Sequence, residues 1–324
     1  MKKKKSILLT SLLLIVSFVV SACTWPGLGG GFSKEAIILT SGSSTEMQIA
    51  GFIVEGMIEH YMGVKPELIG NLGTSTMNHQ AVAHGDANVS AIRYTGTDLT
   101  GPLKMDPIKD PDEAFDTVVK AFDEQFDQKY FPSYGFENTY AFLVTQEMAE
   151  EYGLEKVSDL EPIADQLKAG ADTSWIERKG DGYQAFLEEY DFDFQRVFPM
   201  QIGLVYDALE AGEMDIVLGY STDGRIASYN LKVLEDDRHF FLPYDASPLA
   251  TNDILRQYPD LEKVLLKLEG TISTEKMQEM NFVSDDGLVE PKVVATDFLE
   301  EHDYFEEKEP FLKPVSDKEG NAND

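Results

Sequence analysis

A single cysteine, Cys23, among 324 residues leaves no internal disulfide to hold the fold, which must rest on core packing. Basic residues are scarce. There are 27 Lys and Arg against 58 Asp and Glu, for a formal net charge of -31. That balance argues against nucleic acid as a partner, because a phosphate backbone is bound by clustered Lys and Arg. The sequence contains no GxSxG, HExxH, GxxxxGK[ST] or GxGxxG motif. Its five histidines include His79 and His84, which lie five apart rather than at the i, i+4 spacing that puts two zinc ligands on one helix face. Acid pairs such as Glu188-Glu189 and Asp236-Asp237 are too common for any one to stand out. No catalytic residue, metal site or cofactor is expected.

What is present begins with a signal. Lys2 to Lys5 form a basic start, and Ile7 to Val20 is an apolar run too short to be read as a spanning helix. Val20-Ser21-Ala22-Cys23 resembles a bacterial lipobox. Residues 1–22 then read as a lipoprotein signal peptide, with diacylglyceryl attached to Cys23. A second acyl chain, such as palmitate, would secure the membrane attachment, since one chain alone is marginal. Residues 23–35 are Gly-rich and read as a flexible tether. With 43% hydrophobic residues the remainder has ample material for a core.

Strand and helix patterns alternate from there. Ala36 to Thr40, Leu68-Ile69, Val89 to Arg93, Tyr140 to Val144, Asp215 to Leu218 and Phe240 to Leu242 read as strands. Ser43 with Glu46 three places on reads as a capping box. It opens a helix whose apolar residues run from Ile49 to Tyr61, with Gly63 as its stop. Residues 74–84, 110–128 and 202–211 read as further helices, and the chain after Pro248 as mainly helical. The pattern predicts an α/β fold with mostly parallel sheets, which bind ligands where loops leave the carboxyl ends of the strands.

Four tyrosines fall at such ends. Tyr94 follows VSAIR, Tyr140 opens YAFLV, Tyr220 follows DIVLG, and Tyr244 follows FFLP. Singly, each suits a sheet rim; together they could converge on one cleft. A box of tyrosine faces attracts a cation, and quaternary ammonium is the favoured guest. A carboxylate on the same ligand would want donors. Thr97 offers a hydroxyl and Arg178 a guanidinium, although a surface arginine paired with an acid is an equal reading of the latter.

The segments HQAVAHGDANVSAIRYTGTDLTGPL (79–103), NTYAFLV (138–144), RKGDGY (178–183), VYDALEAGEMDIVLGYSTDGRI (205–226) and FFLPYDASPLA (240–250) resemble the glycine betaine/carnitine/choline-binding proteins of osmoprotectant ABC importers. The resemblance implies a two-lobed, type II periplasmic-binding-protein fold. It implies that Tyr94, Tyr140, Tyr220 and Tyr244 form an aromatic cage for the trimethylammonium head, with Thr97 and Arg178 at the carboxyl end. A neutral threonine there suits betaine and carnitine, whereas an acid would favour choline. Family members often carry a long polar residue in the turn after the first strand. Here Ser41-Gly42-Ser43-Ser44 leaves that contact to backbone or to Ser43.

On this reading residues 36–138 with 243–310 make lobe one, 139–242 make an inserted lobe two, and 311–324 form a charged tail. The protein is expected to be a monomeric, lipid-anchored, extracytoplasmic binding protein that delivers its ligand to permease subunits. Two alternatives stand beside it: a binding protein of the same fold for another small solute such as an amino acid, and, more remotely, a surface-anchored choline-ester hydrolase.

Overall fold

The computed structural model describes residues 36–178 and 182–310. The expected signal peptide, Cys23, the tether, Lys179 to Asp181 and the tail lie outside the described residues. The chain divides at Ala36, and the elements below belong to the unit beginning at Ile37.

Among the described residues, ten strands form two five-stranded sheets. The first contains β1 (Ile38–Gly42), β2 (Glu67–Leu72), β3 (Val89–Tyr94), β4 (Gln128–Tyr130) and β10 (Ala246–Thr251), in the order β2-β1-β3-β10-β4. The second contains β5 (Tyr140–Thr145), β6 (Lys168–Asp172), β7 (Arg196–Met200), β8 (Ile216–Tyr220) and β9 (Leu231–Val233), in the order β7-β6-β8-β5-β9. Each sheet is mostly parallel, as expected, with four strands running one way and one strand against them. In each, the strand entered after the chain changes sheet, β5 or β10, runs antiparallel to both neighbours. The remaining pairings are parallel.

Each sheet carries its own core. Leu39, Val89 and Ala91 pack with Ile53, Val54 and Met57 of the helix Thr45–Met62, and with Leu261, Leu265, Met277 and Phe298 from the C-terminal helices. That helix ends as expected, at Gly63 with φ 64°, a backbone region that favours glycine. The second core is aromatic: Phe142, Trp175, Phe186, Phe194, Phe240 and Phe241 cluster on β5 and β6. Phe240 to Leu242 is therefore apolar because it is buried against this cluster, not because it is a strand. The strand lies a few residues on, in β10, although it contains Pro248. Its register shifts between Ser247 and Leu249, where a residue without an N–H is tolerated.

Two segments carry the chain between the sheets, and they are tied to each other. Glu137 and Asp245 form an antiparallel bridge. Asn138 N donates to Tyr244 O at 3.2 Å, and Thr139 Oγ1 donates to Leu242 O at 2.9 Å. A third seam joins the end of β8 to the helix Thr274–Asp285. Gln278 Nε2 donates to Ser221 O (2.6 Å) and Asn281 Nδ2 to Thr222 O (2.8 Å). A Cβ at Gly224 would lie 2.5 Å from the backbone N of Phe282, so the seam closes only with glycine there. Among the described residues, no helix is long and apolar enough to cross a membrane.

Candidate functional site

A cleft of about 400 Å³ opens where the two sheets face each other across the crossing segments. Tyr94, Tyr140, Tyr220, Tyr244, Thr97 and Arg178 all line it, so the structure brings the six residues expected from the sequence into one place. The further lining is Ser43, Ser44, Met47, Gly73, Thr74, Ser75, Asn138 and Thr139. No carboxylate is among these residues.

The first sheet contributes Tyr94, Thr97 and Tyr244. Tyr94 ends β3 and immediately precedes the short helix Thr95–Thr100, which places Thr97 within that helix's first turn. The turn is braced by a fully buried ion pair, in which Arg93 Nε donates to Asp98 Oδ2 at 3.0 Å. Tyr94 is 8% exposed, and its hydroxyl donates to Glu46 Oε1 at 2.5 Å. Burial first, and the Glu46 carboxylate second, raise its pKa well above the usual phenol value. Tyr244 packs on Gly96, where a Cβ would lie 2.7 Å from the Pro243 carbonyl and 3.0 Å from the Tyr244 ring. Only a glycine lets that ring reach the cleft.

The second sheet contributes Tyr140, Tyr220 and Arg178. Tyr140 and Tyr220 are direct partners across β5 and β8, and their ring centroids lie 5.1 Å apart at 35°. Tyr206, buried beneath them, accepts from Tyr220 N at 2.7 Å. Its ring occupies the space over Gly219, where a Cβ would lie 2.7 Å from it. Arg178 follows the one-turn helix Thr173–Ile176, whose cap Asp172 accepts from Trp175 N at 3.1 Å. Its guanidinium carbon is 5.5 Å from the Tyr140 ring centroid, and its Nη2 is 3.4 Å from the Tyr140 hydroxyl. The cleft thus has aromatic faces and, on one side, a cation.

The turn after β1 differs from expectation in two ways. Ser44, not Ser43, caps the helix Thr45–Met62, with its Oγ accepting from Met47 N at 3.3 Å. Glu46 forms no capping box; it points to Tyr94 and Asn138 instead. At Gly42, a Cβ would lie 2.0 Å from Met47 Sδ. The space of an absent polar side chain is therefore taken by a thioether that itself lines the cleft. Met47 had no signal in the sequence, and Asn138, although it opens the NTYAFLV segment, is given no role there. His79 packs its ring 4.8 Å from Phe126 and 5.9 Å from Phe122, and burial lowers its pKa to about 4.

Comparison with known proteins places the chain in a family. The chain is 51% identical to the carnitine transport binding protein OpuCC of Listeria monocytogenes, over 95% of this chain and all of that protein. It is 28% identical to a glycine-betaine-binding protein of Pseudomonas aeruginosa, over 87% of this chain and 92% of that one. A crystal structure of a glycine betaine/carnitine/choline ABC transporter superposes with a TM-score of 0.82 at 53% identity, covering 83% of this chain and 99% of that chain. Apo YehZ from Escherichia coli shares the fold, with a TM-score of 0.74 at 22% identity over 82% of this chain and 98% of that one. Residues 35–301 match the substrate-binding domain of ABC-type glycine betaine transport systems, and the chain belongs to that family of two-lobed binding proteins.

Proposed function

We propose that the protein captures a zwitterionic quaternary-ammonium osmolyte, of the glycine betaine or carnitine type, and delivers it to the permease of an ABC importer. The observation that carries this reading is the convergence of four tyrosines, three at strand ends of the two sheets and one on a crossing segment, on one cleft that also holds Arg178. A trimethylammonium group has no N–H to donate, so ring faces rather than a carboxylate suit it, each contributing on the order of 0.5–2 kcal/mol. Arg178 and the Thr97 hydroxyl supply donors for the ligand's carboxylate.

Residues 36–138 with 243–310 act as lobe one and 139–242 as lobe two. The lobes close on the ligand about the crossing segments at Glu137–Thr139 and Leu242–Asp245, a hinge motion of a few loop residues. No bond is made or broken. The Val20–Cys23 sequence supports removal of residues 1–22 and lipid attachment at Cys23, which would hold a monomer on the outer face of the membrane.

Intrinsic fluorescence titrated with glycine betaine, carnitine, choline and a set of amino acids tests the proposal. Saturable binding of the methylated ammonium compounds, and none of the amino acids, is expected. Binding of amino acids alone would reject it.

A further inference from the structure

Among the described residues three carboxylates are buried: Glu46, Glu55 and Asp98, at 4%, 5% and 0% exposure. Two of them have a cation. Asp98 pairs with Arg93, and Glu55 with Lys292 at 3.3 Å. Glu46 enters no ion pair with any described residue. Its Oε1 accepts from the Tyr94 hydroxyl and, at 3.0 Å, from Asn138 Nδ2, while its Oε2 is buried without a partner. A buried carboxylate lacking a counter-charge is costly and is not kept for packing. Its setting is the first turn of the helix Thr45–Met62, whose N-terminal dipole favours a negative charge.

We infer that Glu46 is a positioning residue whose counter-cation is the ligand's ammonium, reached through Tyr94. The phenol lies between them: its ring lines the cleft and its hydroxyl is bound to the carboxylate behind. A phenol that donates to a carboxylate carries more electron density on its ring, and the ring face is what a methylated ammonium contacts. Among the described residues no acid lines the cleft, so the ligand's own carboxylate meets no negative side chain of theirs directly. Arg178, partly buried beside Tyr140 where Asp172 Oδ2 also lies 3.5 Å from the Tyr140 hydroxyl, puts a cation on the other sheet's side of the cleft from the hidden anion, an arrangement suited to a zwitterion lying one way round.

This inference rests on the quaternary-ammonium reading, and its test separates the two. Binding of glycine betaine, choline and 3,3-dimethylbutanoate, in which carbon replaces the ammonium nitrogen of glycine betaine, is measured by calorimetry or by competition. The proteins compared are the wild type, Glu46→Gln and Glu46→Asp. Glu46→Gln is expected to weaken glycine betaine and choline by about tenfold or more, and to leave the uncharged-headed isostere unchanged or tighter. Glu46→Asp, which keeps the charge, loses less than Glu46→Gln. Equal loss for the isostere and glycine betaine, no loss for either ammonium compound, or a greater loss in Glu46→Asp would overturn the role given to Glu46. Wild-type protein that binds no quaternary ammonium compound would overturn the functional reading and this inference with it.

Discussion

Tyr94 and Tyr220 end strands in different sheets, yet they are held in opposite ways. Tyr94 is 8% exposed and fixed by its hydroxyl on Glu46, whereas Tyr220 is 39% exposed and fixed by its backbone on Tyr206. The first-sheet side of the cleft has a ring locked at its far end, with a charge behind it. The second-sheet side offers one exposed ring, Tyr220, beside a partly buried one, Tyr140, that also meets Arg178. Preorganising a ring lowers the ordering cost of binding, while an exposed ring gains most from being covered. The contrast suggests that ligand seats first against Tyr94 and is then covered by Tyr140 and Tyr220 as the lobes close.

The strongest way to break this comparison is Tyr94→Ala. It is expected to cost about 3 kcal/mol of stability through the cavity it leaves. It should also weaken glycine betaine or carnitine binding by about 2 kcal/mol, roughly thirtyfold. Thermal unfolding and calorimetric titration read the two effects. Gly224→Ala should destabilise by about 2 kcal/mol without touching a cage ring, because its Cβ meets Phe282 backbone. Its melting temperature should fall while any affinity change stays small. Tyr220→Ala should weaken binding by about 1 kcal/mol, near fivefold, with an unchanged melting temperature. If Tyr220→Ala unfolds the protein as readily as Tyr94→Ala, the two sides are alike after all. Tyr220→Phe, which keeps the face, should change affinity less than about twofold.

The smallest effect concerns pH. Burial, and then the neighbouring Asp245, raise the carboxyl pKa of Glu137; burial raises that of Asp245. A raised carboxyl favours the fold while protonated. Its contribution is complete below the ordinary carboxylate range and is lost as pH climbs through the raised value. Glu137→Gln should therefore lose less melting temperature than wild type between about pH 4 and pH 7. An identical profile for the two proteins would discount the bridge between the crossing segments as a seat of repulsion.

How much of this was legible in the sequence depended on whether the signal was local. β1, β3, β5 and β8 are buried apolar runs bounded by turns, and Gly63 stops its helix by local conformation, so these could be read directly. β6 (KAGAD) could not, because small and polar residues fill it, nor could β7 (RVFPM), which Pro199 interrupts; pairing with distant strands makes them strands. β10 was hidden by Pro248, and Phe240 to Leu242 misled because burial alone had made it apolar. The six cleft residues were found because tyrosines at strand ends form a pattern and because the family resemblance was strong. Glu46 was legible only as a cap. Its true partners, Tyr94 and Asn138, are 48 and 92 positions away, and no spacing rule spans that distance.

The contact of Gln278 and Asn281 with the carbonyls of Ser221 and Thr222 bears on how the halves can move. Two strands alone would let one half twist, slide and swing against the other. A third attachment, built on a helix, adds a restraint that narrows these motions. Because the attached carbonyls directly follow Tyr220, that ring's travel is restrained by the attachment. The distance between a pair of dyes on the two rims would accordingly serve as a gauge of occupancy.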